Sequence, residues 1–319
     1  MTSDRQGEPA SASAPPEDKS ETKELDVDPV RYSGGFSDVS GYDGSTYRYG
    51  KFVLNNETTE VGFLLPPKPR VKPALIVAFF GTGEDPYSVV YHDALRFGVL
   101  AKDNDDFVLV APGVGAKNTM GRVEDPDHFD PKVKYPTSWN VWDVNPDTNR
   151  DLLVVRAVID SATRVFGIDS KRVYFVGHSN GAFFSYFAAM ILRDRVAAFV
   201  ASSGGAFRGE TNRGSTSFKA SDSKHLTVAA LQGESGYPAW ARPKVEGALR
   251  PVGVPESGRV PHGYLYHGVR DPIVSVAFTC ILSDAMGPNA TTRLKDYEHL
   301  VPMELATQLW SDLSRHRLP

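Results

Sequence analysis

The sequence holds a single cysteine, Cys280, in 319 residues. One thiol cannot close an internal disulfide or assemble a cysteine-based zinc cluster, and its plainest reading is a small buried hydrophobe. Long hydrophobic runs are also missing. The longest apolar stretch, Ala182 to Leu192, is too short to span a bilayer and ends at Arg193-Asp194-Arg195. The N-terminus lacks the basic-then-apolar order of a secretory signal, so the expectation is a soluble, cytoplasmic chain. Export or lipid anchoring stays open for a longer chain of which this sequence would be the N-terminally truncated form. Charge of one sign is scarce too. Lys plus Arg number 35 against 39 for Asp plus Glu, a net charge of −4, which gives no drive toward nucleic acid or an anionic membrane surface. No G-x-x-x-x-G-K-[ST] phosphate loop, H-E-x-x-H helix or EF-hand loop occurs, and Glu124 to Asp130 reads as a solvated acidic loop, not a metal site.

What is present suits a globular protein: 41% hydrophobic and 23% charged residues. The length allows two domains of about 150 residues each, or one α/β domain with insertions. Residues 1–35 read as a disordered leader, polar and proline-bearing around Ala10 to Lys19. Residues 1–30 hold eight acids and three bases, a net −5, so the rest of the chain is almost neutral. Residues 36–319 form the folded body, which opens with strands at Lys51–Leu54 and Glu60–Leu65 and a hairpin at Asn55-Asn56-Glu57.

From residue 74 onward, short apolar runs alternate with amphipathic ones. Ala74–Phe80, Phe107–Val110, Val173–Val176, Ala197–Ala201 and Tyr264–Tyr266 have the unbroken apolar character of strands buried on both faces. Helices are predicted near 88–101, 147–166, 180–192, 275–286 and 302–315. In the second of these, Leu152, Val155, Ile159, Ala162 and Phe166 recur at helical spacing and Gly167 follows as a stop. Alternating strands and helices predict an α/β fold with a mostly parallel sheet covered on both faces. The Gly-, Ser- and Pro-rich stretch 206–262 breaks the alternation and reads as a cap or lid-like insertion.

The chemistry centres on Gly177-His178-Ser179-Asn180-Gly181, a G-x-S-x-G pattern between a strand candidate, Arg172 to Val176, and a helix candidate starting at Ala182. In that setting the serine sits on a sharp turn with its hydroxyl exposed above the sheet. A serine hydroxyl needs a base to remove its proton, and the base needs an orienting acid. In chain order the acid and the histidine should follow the nucleophile. Asp271, just past the strand Val260–Tyr266, is the candidate acid, and His299, at the end of a strand-like run from Arg293, is the candidate base. His316, His267 and His178 are weaker alternatives for the base by position. An oxyanion hole needs two backbone N–H donors, for which Asn180 and Thr82, in the turn Gly81-Thr82-Gly83, are the candidates. Trp139 and Trp142 lie in the loop before the long helix, where they are candidates for lining a substrate pocket, with buried aromatic packing as the alternative.

Residues 50–316 resemble the esterase/polyhydroxybutyrate-depolymerase-like branch of the α/β hydrolases, which includes feruloyl and acetylxylan esterases. The likeness is clearest from Asp151 to Asp160, from Gly167-Ile168-Asp169 through Arg172-Val173-Tyr174 to Gly181, at His267-Gly268-Val269-Arg270-Asp271 and at Glu298-His299. The resemblance implies an α/β-hydrolase fold with Ser179, Asp271 and His299 as nucleophile, acid and base. Phe80-Gly81 stands where many relatives carry His-Gly, and no disulfide of the kind found in secreted relatives can form.

These residues predict a serine carboxylic-ester hydrolase that works through an acyl-enzyme on a small-molecule or polyester-type substrate and calls for no cofactor. Two other readings stay open: a serine peptidase of the same fold, and a catalytically silent binding protein. Nothing in the sequence specifies an oligomeric state.

Overall fold

The first strands join backbone pairing to a buried apolar set, Phe52, Leu54, Val61, Phe63 and Leu64. Gly34–Ser37 (β1), Tyr47–Leu54 (β2) and Glu57–Leu64 (β3) form an antiparallel set. Leu54 faces Glu57 across the ladder, so the anticipated hairpin forms with a two-residue connection. Both of its strands outrun their apolar cores, because ladder bonds continue through Tyr47–Gly50 and Glu57–Thr59 whatever the side chains are. Gly34 and Gly35, expected in the leader, instead pair with Leu54 and Val53 at the edge of the sheet.

The structure is a computed structural model that describes residues 34–37, 47–54, 57–68, 70–90, 94–114, 139–141, 143–206, 258–301 and 305–319. The leader up to residue 33, the acidic loop at 124–130, Trp142 and residues 207–257 of the expected insertion lie outside the described residues.

Each continuous apolar run becomes a strand. Ala74–Phe79 (β4) and Phe107–Pro112 (β5) are buried along their whole length, as strands without alternation must be. Val173–His178 (β6), Ala198–Ser202 (β7) and His262–Gly268 (β8) follow, and Ala290–Lys295 (β9) forms the far edge. The last of these starts before the predicted Arg293 and ends four residues short of His299. Its half-exposed Thr, Arg and Lys side chains give little apolar signal, as is common at a sheet edge.

The helices are Pro86–Val90 (α1), Gly98–Asp103 (α2), Arg150–Phe166 (α3), Asn180–Ile191 (α4), Val276–Met286 (α5) and Leu305–Leu313 (α6). The single helix expected over 88–101 is split in two. Arg96 between the pieces has φ 62°, a left-handed backbone that a continuous helix of L-residues does not accommodate.

Among the described residues the sheet has nine strands in the order β1-β2-β3-β5-β4-β6-β7-β8-β9. The six from β5 to β9 in that order run parallel, while β1, β2 and β3 are antiparallel additions. The chain leaves β4 for β5 on one side and later returns to β6 on the other. That reversal opens a crevice beyond the carboxyl ends of β4 and β6, the usual ligand position in a sheet of this kind. The loops after β4, β6, β8 and β9 all leave at that end of the parallel set.

The long helix α3 is stopped at both ends by its own residues. Gly167 takes a left-handed conformation, φ 65°, at its C-terminus. At the other end Asn149 accepts from the N–H groups of Asp151 and Leu152 at 3.0 and 3.2 Å. The same buried amide donates to the carbonyls of Asn140 and Asp143 at 3.0 and 2.7 Å, which pins the loop carrying Trp139 to the helix. Asn149→Ala removes the cap and strands two carbonyls, so it is expected to cost about 2–4 kcal/mol. A fall in the urea unfolding midpoint at unchanged slope checks this; a midpoint within error of wild type contradicts it.

Candidate active site

Strand β6 hands over to helix α4 in one residue. Ser179 adopts φ 55° and ψ −124°, a conformation that L-residues avoid and that is held only where the surroundings over-determine it. Two glycines make the turn possible. A Cβ on Gly177 would lie 2.0 Å from the Gly181 carbonyl oxygen, and one on Gly181 would lie 2.2 Å from that of Phe79. The Ser179 N–H donates to the carbonyl of Ser202 on β7 at 2.9 Å. The hydroxyl is thereby lifted to the crevice, with the N-terminus of α4 behind it. Asn180 is the first residue of α4, a position whose N–H has no acceptor within the helix.

The turn after β4 packs directly on this elbow. A Cβ on Gly81 would come within 3.3 Å of the Ser179 Cβ. Gly81 N–H donates to Glu84 Oε2 at 2.7 Å and the Glu84 N–H returns to the Gly81 carbonyl at 3.2 Å. Gly83, at φ 82°, closes the turn, and Thr82 is exposed at its tip.

Trp139 takes the second of its two expected roles, buried aromatic packing, and does not line a pocket. Its side chain is buried, stacked on Phe184 with ring centroids 4.7 Å apart and edged by Phe79 and Phe80, so it offers no face to a substrate. It serves as a brace. Trp139 Nε1–H donates to the Phe80 carbonyl at 2.9 Å, and its backbone N–H donates to Asn180 Oδ1 at 2.8 Å. One residue therefore ties the turn after β4 to the elbow, a role that sequence gave no sign of. Trp142, the other pocket candidate, lies outside the described residues.

Asp271 and His299 meet. His299 Nδ1 donates to Asp271 Oδ2 at 2.6 Å. Asp271 Oδ1 accepts from the N–H groups of Ile273 and Val274, both at 2.8 Å, which fixes the carboxylate plane. Burial alone would raise the Asp271 pKa, but hydrogen bonds from His267, His299 and the Val274 N–H outweigh it and hold the carboxyl well below the usual range. The His299 ring lies 4.6 Å, centroid to centroid, from the ring of His178, the residue before the nucleophile. Ser179 Oγ and His299 are not hydrogen-bonded to each other. Burial, followed by the facing His299, pushes His178 down to about 3, so its ring stays neutral against the histidine.

His267, set aside from sequence as a strand-end residue, belongs to the same cluster. Its Nε2 lies 3.3 Å from Asp271 Oδ2, and both side chains are fully buried. His316, the other alternative, instead stacks on His262 at 4.9 Å and bonds to the Tyr264 hydroxyl at 2.8 Å. Among the described residues no group of three His, Cys, Asp or Glu side chains is arranged to hold a metal, and no helix is long and apolar enough to cross a membrane.

Comparison with solved structures identifies the fold as that of the α/β hydrolases. The chain is similar to an S-formylglutathione hydrolase from Agrobacterium tumefaciens, with a TM-score of 0.54 and 15% identity, covering 89% of this chain and 100% of that one. It is similar to an acetyl xylan esterase from Aspergillus awamori at TM-score 0.51 and 14% identity, over 88% of this chain and 99% of that one. A thermostable esterase matches at TM-score 0.52 and 17% identity over 85% of this chain and 63% of its own. In sequence, 130 residues are 27% identical to a bifunctional acetylxylan esterase/xylanase of Neocallimastix patriciarum, covering 41% of this chain and only 16% of that protein. No family model matches the chain.

The depressed Asp271 carboxyl has a consequence for stability. A carboxyl whose folded-state pKa lies below its unfolded value of about 3.9 stabilises the fold above that pH and loses the contribution as pH falls. The stability difference between wild type and Asp271→Asn, from urea unfolding, should therefore be larger at about pH 7 than at about pH 2.5. An equal difference at both contradicts the ionised, hydrogen-bonded carboxylate.

Proposed function

We propose that the protein is a serine carboxylic-ester hydrolase with Ser179, His299 and Asp271 as nucleophile, base and acid. One observation carries the reading: a serine on a strained strand-to-helix turn directly follows His178, whose ring lies 4.6 Å from that of a histidine bonded at 2.6 Å to a buried carboxylate. The fold similarity to proteins named as esterases supports it.

In this mechanism the Ser179 hydroxyl attacks the ester carbonyl while His299 Nε2 accepts its proton. Asp271 keeps His299 in the tautomer with the proton on Nδ1 and stabilises the imidazolium as it forms. The developing oxyanion is met by the Asn180 N–H and the turn at Thr82, reinforced by the positive end of the α4 dipole. His299 then returns its proton to the leaving alcohol, the acid stays on Ser179 as an acyl ester, and an activated water releases it. Every proton is carried by the chain itself. The substrate class is a small or polyester-type carboxylic ester.

Ser179→Ala should lower hydrolysis of a short-chain p-nitrophenyl ester by at least about 10³-fold while leaving the unfolding midpoint near wild type. Turnover at the wild-type level by that variant overturns the assignment. Trp139→Phe keeps the stack on Phe184 but releases the Phe80 carbonyl and so loosens the turn that carries Thr82. It should reduce kcat roughly tenfold with KM little changed, since the oxyanion forms only in the transition state. A rise in KM at constant kcat would instead return Trp139 to a substrate-binding role.

A further inference from the structure

His267 ends β8 with its ring fully enclosed, and its surroundings dictate where its protons sit. Nε2 faces the Val274 carbonyl at 2.9 Å and Asp271 Oδ2 at 3.3 Å. Both are acceptors, so Nε2 carries a hydrogen. Nδ1 lies 2.7 Å from the Thr279 hydroxyl on α5. That hydroxyl is closely bonded to the carbonyl of Gly204, in the loop after β7, and a carbonyl only accepts. The single Thr279 proton goes to Gly204, which leaves the Thr279 oxygen to accept from Nδ1–H. A ring that donates from both nitrogens is an imidazolium.

We propose that His267 is a charged positioning residue: a buried imidazolium that neutralises Asp271 and, through it, the charge that His299 faces. A fully buried carboxylate is costly without an opposite charge and saturated hydrogen bonds. His267 supplies the charge, and the N–H groups of Ile273, Val274 and His299 complete the bonds. The network also runs Asp271–His267–Thr279–Gly204, and Gly204 packs on the elbow. A Cβ there would lie 2.5 Å from the Ala182 Cβ and 3.0 Å from the Ser179 carbonyl oxygen. The acid loop and the nucleophile are thus braced through one buried chain of polar groups.

Among the described residues, other titratable or charged groups face the cluster or flank it. His178 faces it from β6 and is held neutral by burial. His299 faces it from the loop after β9. Arg270, next to the acid, turns its guanidinium outward to the Asp296 carbonyl, and Glu298 is exposed. A positive His267 shares the Asp271 charge, so His299 gains less on protonation than it would beside an unshared carboxylate. Removing the charge reverses this and makes His299 easier to protonate.

The kinetic half of the inference rests on the ester-hydrolase reading; the proton count does not. The full chain, labelled with ¹⁵N in its histidine rings, is followed by NMR between about pH 5 and pH 9, with His267→Gln used to assign the resonances. At neutral pH His267 should show hydrogens on both ring nitrogens, and a single-hydrogen tautomer there overturns the proposal. In parallel, kcat/KM for p-nitrophenyl acetate is measured against pH. The acid limb of His267→Gln should move up by about one pH unit. A variant that is merely less active at every pH, with the limb unmoved, indicates a structural part only and also overturns it. Thr279→Val removes the Nδ1 acceptor without touching His267, covers the case of a poorly folding Gln variant, and should shift the limb the same way. Thr279→Ser restores the acceptor and should return the wild-type limb. If no ester is hydrolysed at all, the functional reading fails while the NMR result still decides the charge on His267.

Discussion

A backbone clearance of about one atom's width governs this molecule. Ser179 can hold φ 55° only because Gly177 and Gly181 bring no Cβ into gaps where backbone oxygens sit at 2.0 and 2.2 Å from its would-be position. Strain of this kind persists when neighbours enforce it. The Ser179 N–H is taken by β7, Gly181 is wedged under the end of β4, and the Asn180 side chain is bonded to Trp139. The serine is therefore a product of the parallel sheet. It stands where β4, β6 and β7 run side by side with their carboxyl ends level.

The same geometry explains how charge is managed there. The acid and the base arrive on loops after β8 and β9, the strands farthest along the parallel set. Each loop is pinned by short-range bonds: Asp271 by the N–H groups that follow it, and the segment before His299 by Arg270 N–H to the Tyr297 carbonyl at 3.2 Å. Ionisation of Asp271 is favoured although the residue is fully buried, because its hydrogen-bond donors outweigh desolvation. His178 behaves oppositely. Its ring is kept uncharged by burial beside His299, so no second cation opposes protonation of the base from that side.

Local chemistry made much of this legible in sequence. Val173 to Val176 is a run of residues buried on both faces, Gly177 and Gly181 are the residues a close turn demands, and Gly167 is a helix stop. Asp271 and His299 were found by their order after late strands, and the structure brings them together. Other features depend on packing that no short window contains. The split of the helix at Arg96 comes from a left-handed residue that arginine does not advertise. The edge strand Ala290–Lys295 is polar and half-exposed, so its beginning was invisible to an apolar search. Trp139 admits two readings in sequence, pocket lining or buried packing, and only its partners Phe80, Asn180 and Phe184 decide for packing. His267 differs from any core histidine only by facing Asp271 and Thr279.

The central claim is that Ser179 becomes acylated during turnover. The direct measurement is rapid mixing of the protein with p-nitrophenyl acetate, with p-nitrophenol release recorded in the first turnover and the quenched protein mapped by peptide mass spectrometry. The account predicts a burst of about one p-nitrophenol per active chain and an acetyl group on the peptide carrying Gly177 to Gly181, at Ser179. Product release without a burst, together with an acetyl group on some other residue or on none, would contradict it.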